Sequence, residues 1–171
     1  DLLMGVLETY RSYKGILPRR IVLHKTSKFY DNEKAGFERA LREKEIAQYD
    51  FIALDQLGVR FFREGAYPPV RGTWCQLGQI GHWVYTLGYL PTYGTYPRPY
   101  VPKPIQIVDK HGDSSWEKVI EEILALTKMN WNSADYASSY PITLHFARKV
   151  GEILSYLPDN ATPNPNFRYY C

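Results

Sequence analysis

Nowhere do the 171 residues run to the roughly 18 uncharged apolar positions that a membrane-crossing helix needs, so a transmembrane span is excluded and no membrane contact is expected. No basic segment leading into an apolar one is seen, so no secretory signal is visible. Cysteine is scarce. Cys75 and Cys171 lack the close spacing of a zinc knuckle and are too few for a disulfide scaffold, and a reducing, cytoplasmic setting is the expectation. Glycine-rich phosphate loops of the Walker type, Gly-x-Gly-x-x-Gly and the Gly-x-Ser-x-Gly elbow are all absent. His24, His82, His111 and His145 are scattered, and none pairs with another at metal-ligand spacing. The net charge of +3 is mild and does not by itself announce a nucleic-acid partner. What is present is 44% apolar and 23% charged sequence, enough to bury the core of one domain.

The distribution of charge says more than its total. Arg11, Lys14, Arg19, Arg20, Lys25 and Lys28, with His24, follow one another without an intervening acid. Between Gly65 and Val108 there is again no Asp or Glu, while that stretch carries Arg71, Arg98, Lys103 and many aromatic rings. Acids concentrate in Glu33–Asp55 and Asp109–Glu122. Such segregation can set one face against a polyanion, with rings available for sugar or base contact, or it can simply reflect helices that carry solvated acids.

Periodicity predicts a helix over 2–14 with Leu3, Val6, Leu7 and Tyr10 on one side, ended by Gly15 and Pro18. Arg20–His24 reads as a buried strand, Asp31 as the cap of a helix to about residue 45, and Phe51–Leu54 as a second buried strand, together a parallel βαβ unit. Short strands are expected over Val59–Arg63, Val70–Gln76, Trp83–Leu87 and Ile105–Val108, with an ordered proline- and tyrosine-rich loop over 88–104. Ser114–Glu117 reads as a capping box ahead of a helix with Trp116, Val119, Ile120, Ile123 and Leu124 inward. Pro141 suits the first turn of a last helix with Phe146, Val150, Ile153, Leu154 and Leu157 inward, and His145, Arg148, Lys149 and Glu152 opposite. The aromatic terminus, Phe167 to Cys171, is expected to dock.

A two-metal nuclease needs carboxylates converging on strand ends, because its ions sit about 4 Å apart. Asp55 and Asp109 are the candidates, and neither has a second acid at a convincing spacing. Asp55 can equally cap a turn.

Three stretches in order carry a resemblance: Arg20–Phe29 with the following Gly36-Phe37, Tyr67–Thr73 continuing to Gly94–Pro97, and Leu126–Asn132 followed by Pro141–Ala147. Together they resemble the PIWI domain of a prokaryotic Argonaute of short or long-B type. The resemblance implies an α/β, ribonuclease H-like PIWI fold, a mixed sheet flanked by helices, of which residues 1–171 would be the C-terminal part. The MID domain and the first PIWI strands, with the first two catalytic acids, are then expected upstream of residue 1.

Cutting members of that family hold metal with four residues. Matching the strand at Arg20–His24 places Thr26 at the third, an aspartate, and matching Phe146-Ala147 places Arg148 at the fourth, a His or Asp. A hydroxyl and a guanidinium cannot hold magnesium as carboxylate or imidazole does. The resemblance therefore implies a catalytically inactive copy, not an enzyme and with no catalytic cofactor. It would be a guide-directed binder of RNA or DNA that recognises complementary invader DNA or RNA and signals to an associated effector protein or domain in antiviral and anti-plasmid defence. Lys25, Lys28, Arg71, Lys128, Arg148 and Lys149 would meet phosphates, and Asn130 and Asn132 phosphate or sugar. The terminal carboxylate, at Cys171, would approach the guide 5′-phosphate, in some members through a divalent metal such as magnesium. The alternative is a metal-dependent nuclease using Asp55 or Asp109 with upstream acids.

Overall fold

The computed structural model describes residues 2–56, 58–78, 81–130, 135–158, 160–164, 166 and 169. These form helix α1 (Leu2–Lys14), strand β1 (Arg20–Lys25), α2 (Asp31–Glu43), β2 (Gln48–Asp55), β3 (Trp74–Leu77), β4 (Gly81–Val84), a 3-10 turn (Pro91–Tyr93), β5 (Ile105–Gly112), α3 (Trp116–Leu126) and α4 (Ile142–Leu154). The strands make one mixed sheet in the order β1-β2-β5-β4-β3, with β1 parallel to β2 and β3 antiparallel to β4. No helix among the described residues is long and apolar enough to cross a membrane. The chain divides into two compact units, Asp1–Asp55 with Ile107–Trp116, and Gln56–Gln106 with Glu117–Cys171.

In the first unit α1 ends where expected. Gly15 adopts φ 74° and its N–H closes on the Arg11 carbonyl at 2.8 Å, a left-handed stop that favours glycine. Leu3 and Leu7 are buried, but Val6 and Tyr10 are exposed, so the inward face is narrower than the apolar pattern. The βαβ unit is present, with Arg20 opposite Gln48 through Lys25 opposite Ala53. Phe51 to Leu54 are fully buried, whereas β1 is half-buried along its length. Asp31 is the first residue of α2 and not its cap. Tyr30 precedes it, and the Tyr30 N–H donates to Glu33 at 2.9 Å. Phe29, Phe37 and Phe51 pack their rings together in the core with Leu3, Leu7, Ala40 and Leu41.

Asp50 lies inside this unit, and its partners explain a second departure. Ser114 does not stand at the cap of α3, which begins at Trp116. Its hydroxyl and N–H instead donate to the Asp50 carboxylate at 2.7 and 3.1 Å, and the Arg20 guanidinium approaches to 2.6 Å. Burial pushes the Asp50 carboxyl up, and the Ser114 and Arg20 hydrogen bonds outweigh it, leaving the group below its ordinary value. Gly112 crosses this site at φ 138°, where a β-carbon would stand 2.3 Å from the Tyr49 carbonyl oxygen. β5 runs on to Gly112, so Asp109 sits within the strand and not after it.

In the second unit, the described residues of 59–63 form no strand, and the strand expected from Val70 starts at Trp74. Residues 69–73 nevertheless lie along 85–89, through Tyr89 N–H to Pro69, Arg71 N–H to Tyr89 and Gly72 N–H to Tyr85, at 2.8–3.0 Å. Gly88 permits that approach, since a β-carbon there would stand 2.3 Å from the Arg71 nitrogen. The proline-rich loop is ordered by the 3-10 turn, a bridge from Leu90 to Thr95, and a hydrogen bond from the Tyr85 hydroxyl to the Pro102 carbonyl at 2.8 Å. α3 buries Val119, Ile120 and Ile123. α4 buries Ile142 and Leu144, while Ile153 and Leu157, expected inward, are 39% and 38% exposed. Periodicity marks a face as apolar without saying that anything covers it.

Candidate functional site

The site grows from the C-terminal end of α3. The last carbonyls of a helix lack partners within it and need outside donors. Arg71 supplies one: its Nη2 donates to the Leu124 carbonyl at 2.8 Å and to the Thr127 hydroxyl at 2.9 Å. The Thr127 carbonyl in turn accepts the Ser138 N–H at 2.8 Å, and the Thr86 hydroxyl donates to the Ser139 carbonyl at 2.8 Å. These bonds fix the segment that leads through Tyr140 to Pro141, which caps α4. Helical spacing then puts His145, Arg148 and Lys149 on one side. From the proline-rich loop, Arg98 reaches Asp135 at 3.0 Å.

The result is a cavity of about 490 Å³ lined by Gln56, Arg98, Thr127, Lys128, Asn130, Asp135, Ala137, Ser138, Ser139, Tyr140, His145, Arg148 and Lys149. Four cationic side chains, Arg98, Lys128, Arg148 and Lys149, face one carboxylate, Asp135, which pairs with Arg98. The described lining thus has three more positive than negative side chains. The Arg148 guanidinium sits over the Tyr140 ring at 5.0 Å. Lys128 donates to the Tyr136 hydroxyl at 2.8 Å and lies over that ring at 4.4 Å, and this hydrogen bond draws the Tyr136 phenol below its ordinary value. Burial, then the nearby Lys149 and Arg148 charges, hold the His145 imidazole below its ordinary value. A pocket with this lining attracts an anion with several charged oxygens.

Metal is another matter. Among the described residues no group of three or more His, Cys, Asp or Glu is placed to hold an ion. Thr26 is exposed just beyond β1, and Arg148 brings a positive charge, so neither side chain fits a magnesium ion. Asp55 ends β2, and Asp109 lies 3.5 Å from the Lys34 ammonium.

Of the residues expected to touch nucleic acid, the structure brings Lys128, Asn130, Arg148 and Lys149 into one cavity. Arg71 is turned to the end of α3 and supports the cavity wall. Lys25 lies 2.6 Å from the Glu33 carboxylate, beside the start of α2, and Lys28 is exposed on the loop that follows β1. Asn132 and Cys171 lie outside the described residues, so the expected 5′-phosphate contact does too. Arg98, Asp135, Tyr140 and His145 join this site although no motif in the sequence groups them with it. The acid-free run around Arg98 and the helical face shared by His145, Arg148 and Lys149 are the signals the sequence carries for them.

No protein-family model matches the chain, and no curated protein matches it. Solved structures do. A Clostridium butyricum Argonaute bound to a guide DNA and a 19-mer target DNA superposes with a TM-score of 0.63 at 19% identity, over 97% of this chain and 21% of that one. Aa-Ago with externally bound siRNA superposes at 0.65 and 20% identity, over 90% of this chain and 20% of that one. The chain therefore has the fold expected from the resemblance, a PIWI-like, ribonuclease H-like α/β domain. It spans about a fifth of the length of each of those two structures.

Proposed function

We propose that this domain binds nucleic acid under the direction of a guide strand, does not cut it, and reports recognition of complementary invader sequence to an associated effector. The observation that carries the reading is the cavity at the ends of α3 and α4. Lys128, Arg148 and Lys149 converge there, and the one carboxylate among the described lining residues, Asp135, pairs with Arg98. The fold adds weight, because, of two solved structures that share it, one is bound to a guide DNA and a target DNA and the other carries an externally bound siRNA. Backbone phosphates supply most of the affinity in such binding, while base pairing to the guide reads the sequence.

The absence of cutting rests on residue chemistry. Where cutting relatives carry a metal ligand, the resemblance places Arg148, and an arginine in the cavity repels the ion that the reaction needs. Arg148 then serves as a phosphate contact. Effector signalling is what the resemblance implies for such a binder.

Purification of the intact protein at low salt tests the binding part. Short nucleic acid should copurify, and replacing Lys128, Arg148 and Lys149 together by alanine should remove it. A wild-type protein that carries no nucleic acid and shows no salt-sensitive binding would leave only a structural or interaction domain.

A further inference from the structure

We propose that Tyr93 and Tyr136 form a platform on which an unpaired base stacks, next to the cavity that takes the phosphates. The proposal rests on the reading above and adds the part of the ligand that it leaves unplaced.

Tyr93 stands at the end of the 3-10 turn Pro91–Tyr93. Its N–H donates to the Leu90 carbonyl at 3.0 Å, and Gly94 closes the turn at φ 63° with its N–H on Pro91 at 3.2 Å. The backbone is thus fixed while the side chain remains 64% exposed. Its ring meets Tyr136 at 5.7 Å and 68°, an edge-to-face pair that leaves ring surface open. Tyr136 is itself 39% exposed and holds Lys128 above its ring and at its hydroxyl. Lys128 also lines the cavity. The Arg71 guanidinium also lies over the Tyr136 ring, at 5.9 Å, so Tyr136 carries the cations while the more exposed Tyr93, packed against it, offers the open ring surface.

That pairing is the chemistry of one nucleotide. Phosphate goes to the ammonium and base to the ring, and stacking accepts every base because each has a π-face. Charge is compatible with the same ligand, since the segment from Gly65 to Val108 that presents Tyr93 has no acid and Asp135, next to Tyr136, is paired with Arg98. An apolar peptide side chain would be an odd occupant here, because the Tyr136 ring ends in a hydroxyl held by the Lys128 ammonium.

The test uses the intact protein and a single-stranded oligonucleotide carrying one 2-aminopurine, moved position by position. At one position the wild type and Tyr93→Phe should quench the fluorescence. Tyr93→Ala should restore it and weaken binding about tenfold with the salt dependence unchanged. Tyr93→Ala protein that melts like wild type, binds like wild type and quenches at the same position would overturn the platform alone. A wild type with no salt-sensitive binding would overturn the platform and the functional reading together.

Discussion

Replacing Arg148 by alanine has an effect whose size follows from the cavity. Its described lining carries three more positive than negative side chains. Each phosphate neutralised on a single strand contributes about 0.7 to the fall of log affinity with log salt, so the cavity contributes a slope of about 2. Raising salt from about 50 to about 200 mM, a fourfold change, then costs about 18-fold in affinity through this site. Without Arg148 the slope from the cavity drops to about 1.4 and the same change costs about sevenfold. Other contacts in the intact protein add equally to both measurements, so the difference in slope, about 0.7, is the quantity to read. Fluorescence anisotropy titrations with a labelled single strand at several salt concentrations supply it. Arg148→Lys should return the slope to wild type, and the loss in Arg148→Ala should be uniform across sequences. An unchanged slope in Arg148→Ala would place this face of α4 away from the strand.

Arg71→Ala should act on folding rather than on the strand. It removes two hydrogen bonds from a charged donor at the end of α3, a loss of about 2–4 kcal/mol, read as a fall in the unfolding midpoint, with the salt slope of the folded protein unaltered. Gly112→Ala should leave little folded protein in a solubility and circular dichroism comparison, because a β-carbon would stand 2.3 Å from the Tyr49 carbonyl at a φ of 138°. Glu38 gives a pH signature. The His111 hydrogen bond, followed by that from Tyr49, outweighs burial and holds its carboxyl below the ordinary 4.5. A depressed carboxylate adds stability that is fully present above 4.5 and is lost as pH falls through the lower native value. The stability advantage of wild type over Glu38→Gln, measured by urea unfolding, should therefore shrink as pH drops below 4.5.

The local parts of this fold were legible because they depend on neighbours in sequence. Gly15 after an amphipathic run, the apolar block Phe51–Leu54 and the spacing between β1 and β2 announce themselves within a few residues. The departures occur where a distant partner decides. Ser114 matches a capping pattern, but Asp50, 64 residues away in sequence, takes its hydroxyl. Ile153 and Leu157 match an inward stripe that the described residues leave partly exposed. The cavity shows the same division. His145, Arg148 and Lys149 could be grouped from helical spacing, whereas Arg98 and Asp135 meet across 37 positions and leave no local trace. Arg71 looks like a phosphate contact when only its charge is considered. Its real partners, the Leu124 carbonyl and Thr127, become visible only once the end of α3 is placed.

The central claim, a domain that grips strands and leaves them whole, is tested most directly by one experiment. The intact protein is loaded with a guide, given a matched target with magnesium or manganese, and followed on a denaturing gel alongside a binding measurement. Retention of a full-length target in a guide-dependent complex is the expected result. Guide-dependent cleavage that vanishes in Asp55→Ala or Asp109→Ala would contradict it and establish a metal-dependent nuclease instead.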